Sequence, residues 1–124
     1  MKIFISSLII TISILLALGL LLNPTITTIS AFSQGNSVFI VPRAADPNNH
    51  QSFIPKFISM PIESTVFWTN DDSIPHSITS DEEGLFVSGP IAPGDTFENL
   101  FDTPGGFGYH CSTHPWMTGR VMVG

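Results

Sequence analysis

Cysteine occurs once, at Cys111, so no disulfide can form within the chain. Basic residues are almost as scarce. Lys2, Arg43, Lys56 and Arg120 are all there are, against 10 acidic side chains, and the net charge is −6. A nucleic-acid binder needs clustered Lys and Arg to neutralise phosphates, so that class is excluded. Long stretches free of helix breakers are also missing downstream: 10 Pro and 10 Gly in 124 residues leave little room for extended helices. The 10 Phe and the frequent Ile oppose disorder. The length suits one folded domain.

One long apolar run stands at the start. Residues 3–22, IFISSLIITISILLALGLLL, carry no charge and follow Lys2. A secretory h-region spans about 7–15 residues and a membrane-spanning helix about 20, and the run fits either. It reads as a cleaved signal peptide, with Ala31-Phe32-Ser33 as the small-x-small site, or as one N-terminal hydrophobic helix anchoring the chain. Both place the positive flank in the cytoplasm and the remainder outside it. The expected organisation is therefore 1–33, a signal peptide or membrane anchor with polar spacer, and 34–124, an exported domain. Removing 33 of 124 residues leaves 91, with 3 basic and 10 acidic side chains and a charge of −7. In an oxidising compartment a lone cysteine calls for a role other than a disulfide.

Residues 34–124 are punctuated every 8–12 residues by Pro, Gly, Asn or Asp, the pattern of an all-β sandwich. Expected strands are Ser37–Val41, Phe53–Met60 with Pro55 marking an edge, Thr65–Thr69, His76–Ser80, Leu85–Val87, Thr96–Phe101, Phe107–Cys111 and Gly119–Val123. Val66 and Trp68, two apart, are expected in the core. Alternation would also turn Phe97, Asn99 and Phe101 to one face, which suits Asn99 poorly.

Near the C-terminus, Cys111, His114 and Met117 form C-x2-H-x2-M within YHCSTHPWMTG, and His76 lies 35 residues upstream in IPHSIT. A thiolate, two imidazoles and a thioether form a soft donor set that favours copper. Trigonal His2Cys with a weak axial Met is the blue-copper electron-transfer geometry. Cys111 alone would read as a buried structural thiol; its neighbours at these offsets make it a ligand.

The segments PHSITSDEEGLFVSG, IAPGDTFENLF and PGGFGYHCSTHPWMTGRVMV closely resemble the cupredoxins, in particular the plastocyanin/amicyanin group, over roughly residues 37–124. The resemblance implies a Greek-key β-sandwich with one type 1 copper at one end, held by His76, Cys111, His114 and Met117. It implies an exported one-electron carrier, not an enzyme, that cycles Cu(II)/Cu(I), is intensely blue, and meets redox partner proteins transiently as a monomer. Four histidines are too few for a multicopper oxidase. Many relatives carry Asn directly after the first ligand His. Here it is Ser77, whose shorter reach predicts a looser link between the ligand loops.

Copper trafficking or storage is the alternative function for the same ligands, and zinc an adventitious occupant. For a thiol hydrolase the sequence identifies no orienting Asn or Asp near either histidine, and Met117 would have no role. His110, beside Cys111 in a strand, points away from the metal. His50 reads as a loop residue. Asp81-Glu82-Glu83 reads as a solvated turn or as a steering patch for a basic partner. Trp116, Pro115, Ile74 and Pro75 read as an apolar docking patch.

Overall fold

The computed structural model describes residues 36–124, and the expected leader lies outside them. The described residues contain no helix. Eight strands run β1 Ser37–Ile40, β2 Phe53–Ile54, β3 Phe57–Met60, β4 Ser64–Asn70, β5 Thr79–Ser80, β6 Thr96–Phe101, β7 Gly105–His110 and β8 Thr118–Val123. They form two four-stranded sheets, ordered β2-β1-β4-β6 and β3-β8-β7-β5. The β1–β4 and β3–β8 pairs are parallel; the other neighbours are antiparallel. This is the expected Greek-key β-sandwich.

Period-two alternation decides which side of each strand enters the core. Val38 and Ile40 of β1, Ile58 and Met60 of β3, Val66 and Trp68 of β4, and Val121 and Val123 of β8 are buried. Trp68 lies opposite Phe97 across β4 and β6, and the two rings stack at 5.6 Å. Tyr109 meets Trp68 edge-on at 5.4 Å and Phe53 at 5.0 Å. Its cross-strand partner on β8 is Gly119. A Cβ there would run into the Tyr109 ring, so the missing side chain makes room for the phenol. Burial pushes the Tyr109 hydroxyl up to about 12.

Three expectations are corrected. Phe53–Met60 is not one strand: it divides at Pro55 into β2 in one sheet and β3 in the other. Proline has no N–H for a ladder and breaks the pairing there. His76–Ser80 is strand only at Thr79–Ser80; His76 makes a single antiparallel bridge to Ile91. Leu85–Val87 is likewise reduced to a bridge, Thr79 with Val87. Asn99 does share the inner-facing side of β6 with Phe97 and Phe101, but it is only half-buried, near the strand's middle.

Two loops carry the residues singled out for chemistry. One joins β4 to β5 and holds His76. The other joins β7 to β8 and holds Cys111, His114 and Met117.

Candidate metal centre

The β7–β8 loop turns its three-residue spacing into geometry. His114 N–H donates to Cys111 O at 3.2 Å, and Met117 N–H donates to His114 O at 2.9 Å. These are two successive i to i+3 turns, with Cys111, His114 and Met117 at their corners. Cys111 N–H then donates to Met117 O at 3.2 Å and closes the loop on itself. Pro115 falls inside the second turn, where its fixed φ is tolerated.

The β4–β5 loop is fixed from below. His76 N–H donates to Ile91 O at 3.2 Å, and Ile91 N–H donates to His76 O at 2.7 Å. Buried Asn70, the last residue of β4, donates through Nδ2 to Ile74 O at 2.8 Å and Ile91 O at 2.9 Å. Its position at an inward-facing end of β4 is what makes it a brace.

Together the loops bring His76, Cys111 and His114 so close that one donor atom from each lies within 4.8 Å of the others. Cys111 Sγ is 3.8 Å from His76 Nδ1 and 3.7 Å from His114 Nδ1. His76 and Cys111 are buried and His114 is half-buried. Met117 is fully buried at the end of the same loop. Burial alone would raise the Cys111 thiol. Hydrogen bonds from Thr113 Oγ1 and the Ser77 N–H, with the imidazoles of His76 and His114 close by, outweigh it and bring the thiol from 9.0 down to about 5.

Ser77 does more than its length suggested. Its N–H points at Cys111 Sγ at 3.4 Å. Its Oγ accepts the Ser112 N–H at 2.9 Å, lies 2.8 Å from Ser112 Oγ and is 3.7 Å from Cys111 Sγ. The hydroxyl thus ties the two loops together, and the expected looseness is absent because Ser112 comes close enough for the shorter side chain. Ser77→Ala would leave the Ser112 N–H without its acceptor. We expect about 1–2 kcal/mol lower stability of the metal-free protein in urea unfolding, and a loss within about 0.5 kcal/mol would contradict this role.

The other histidines stand apart from this cluster. His110 turns to Asp81, with Nδ1 and Oδ1 2.6 Å apart, and His50 is an exposed loop residue. Trp116 is half-exposed, 5.4 Å edge-on from the His114 ring, and its indole N–H donates to Ala45 O at 3.0 Å. It is therefore held at the surface rather than folded inward.

Residues 40–124 match the copper binding proteins of the plastocyanin/azurin family. The chain belongs to that family. Over 83 residues it is 31% identical to a chloroplastic plastocyanin of Tetradesmus obliquus, covering 57% of this chain and 57% of that one. Over 70 residues it is 33% identical to amicyanin-alpha of Methylorubrum extorquens, covering 48% of this chain and 54% of that one. Among solved structures, a purple cupredoxin from Nitrosopumilus maritimus is 37% identical with a TM-score of 0.69, covering 72% of this chain and 99% of that one. The chain thus spans little more than half the length of the two curated relatives and nearly all of the solved cupredoxin. For a plastocyanin/azurin family member the expected ion is copper, and the donor chemistry fits it. A cysteine sulfur beside two imidazole nitrogens is the soft, mixed sulfur–nitrogen set that copper prefers over hard oxygen-seeking cations.

Proposed function

We propose that this chain is an extracytoplasmic one-electron carrier whose single copper ion would be held by His76, Cys111 and His114, with Met117 as a fourth, weaker sulfur donor. Copper bound there would supply a couple between Cu(II) and Cu(I). The observation that carries the reading is the spacing of the donors. Three donor atoms already lie within 4.8 Å of one another, braced by the closed β7–β8 loop and by Ser77. Such a cage moves little when the charge of the ion changes, so little nuclear rearrangement opposes electron exchange. The half-buried His114 ring is the route outward, with Trp116 beside it.

The exposed Trp116 and Ile74, with Pro75 and Pro115, would make a small apolar contact for a redox partner, in keeping with weak and short-lived encounters. The acidic turn Asp81-Glu82-Glu83 would favour a basic one. Asp81 is already paired with His110, which leaves Glu82 and Glu83 as the free charges. The relatives named plastocyanin and amicyanin support a carrier rather than an enzyme; a monomer, exported by way of residues 1–33, completes the proposal.

Trafficking is disfavoured by the same closure. A donor protein needs a site that opens for the incoming acceptor, and here both loops are tied. The deciding experiment is voltammetry of the copper-loaded protein alongside its optical and paramagnetic-resonance spectra. We expect intense visible absorption, blue or displaced towards purple as in the solved neighbour, and a reversible one-electron wave with copper retained in both states. Loss of copper on each reduction, or a colourless Cu(II) form, would overturn the reading.

A further inference from the structure

Asp72 lies in the β4–β5 loop, four residues before His76, and is buried. Its two oxygens are divided between two tasks. Oδ1 accepts the backbone N–H of Ser73 at 2.8 Å and of Arg43 at 3.1 Å. Oδ2 lies 2.7 Å from His76 Nε2. The carboxylate is held in turn, because Asn70 Oδ1 accepts the Asp72 N–H at 2.9 Å. The guanidinium of Arg43 goes elsewhere, to Asp46. Among the described residues, the only salt-bridge partner of Asp72 is therefore His76.

Geometry gives the imidazole a direction. Nε2 faces an oxygen that can only accept when ionised, so it carries the proton. Nδ1 faces Cys111 Sγ at 3.8 Å with its lone pair free. A backbone carbonyl would fix the same tautomer. A carboxylate also draws harder on the Nε2 proton, because a hydrogen bond to an ionised acceptor is roughly twice as strong. That raises the basicity of the opposite nitrogen. A more basic nitrogen stabilises Cu(II) more than Cu(I).

We propose that Asp72 is a positioning residue of the metal centre: through Oδ2 it holds His76 as an Nδ1 donor and biases the copper couple towards the cupric state. The proposal rests on the reading that His76 binds copper. Asp72 does not touch the metal and acts only through the ring.

The test uses the full chain, copper-loaded, with Asp72→Asn and Asp72→Glu. Asparagine has one acceptor oxygen. It cannot serve both the backbone N–H groups of Arg43 and Ser73 and the Nε2–H of His76. For Asp72→Asn we expect Cu(II) affinity to fall by about 10- to 100-fold with Cu(I) affinity nearly unchanged. At about 59 mV per tenfold, the reduction potential then rises by roughly 60–120 mV. Asp72→Glu keeps the charge and returns part of the shift. A purely structural role would lower stability without moving the potential. In the wild-type protein loaded with Zn(II), nitrogen-15 NMR should find a slowly exchanging proton on His76 Nε2. An unchanged potential in Asp72→Asn, beside an intact wild-type couple, overturns the proposal and leaves the copper site standing. If Asp72→Asn does not fold, the NMR measurement decides, and a proton on Nδ1 overturns it. A wild-type protein with no reversible couple overturns the copper reading and this proposal together.

Discussion

Cys111→Ser should remove the intense visible colour of the copper-loaded protein altogether. Cys111 contributes the only sulfur of its kind in the chain, and strong absorption in such a centre comes from charge transfer between thiolate and Cu(II). Serine nearly matches the side chain in size, so the fold should survive. Its hydroxyl would not ionise in this setting, and a neutral hydroxyl oxygen is a harder and poorer donor for copper. The groups that hold the thiolate, among them the Ser77 N–H at 3.4 Å from Sγ, would face a weaker acceptor. We expect far-ultraviolet dichroism like that of the wild type, with only weak bands from residual Cu(II) on His76 and His114. Retention of the strong band in Cys111→Ser would exclude Cys111 as the ligand.

The second large effect belongs to the core. Trp68 is fully buried and packs against Phe97, Tyr109, Phe101 and Phe86. Trp68→Ala should cost about 3–5 kcal/mol, because the surrounding rings cannot close over so large a void. Small domains have about 5–15 kcal/mol in all, so the metal-free variant should lie close to unfolding. Copper held more tightly by the folded state than by the unfolded chain should restore part of the loss: at a thousand times its dissociation constant it adds up to about 4 kcal/mol, less whatever the unfolded Cys111–Met117 segment binds. Urea titrations with and without copper would therefore separate widely in the variant. A loss below about 0.5 kcal/mol, the range of an uninvolved surface change, would mean that Trp68 does not organise the sandwich.

What could be read from the sequence divides along a physical line. Strands with clean alternation, such as STVFWTN and TGRVMV, were legible because each residue's fate follows from the strand's own period. The Cys111–Met117 loop was legible for the same reason, since its turns are local and every donor lies three residues from the next. His76 was harder. It lies 35 residues from Cys111, and donor chemistry together with the family resemblance, not any local pattern, joins it to the others. Its backbone proved irregular, with one bridge to Ile91 in place of a strand. The break at Pro55 was hidden because both halves are apolar, and which sheet each half joins depends on distant partners. Nothing local marks Asp72, which simply follows the end of the Thr65–Thr69 strand pattern. Only the folded chain brings its carboxylate to the ring of His76. Ser77 was judged by its own length, whereas its reach depends on how near Ser112 comes.

The hydrogen bond from Cys111 N to Met117 O makes the seven residues between β7 and β8 a self-contained cassette. Both of its ends are joined to each other as well as to the strands. Changes in loop length at a distance, for instance in the Asp102–Pro104 turn before β7, fall outside the cassette and need not be transmitted to the three donors it carries. An insertion between His114 and Met117 has no such buffer, because it destroys the second turn and the closing bond at once. The fold thus shields Cys111, His114 and Met117 from length changes elsewhere, leaves His76 dependent on its own loop, and concentrates sensitivity in a segment short enough to be exchanged as a unit.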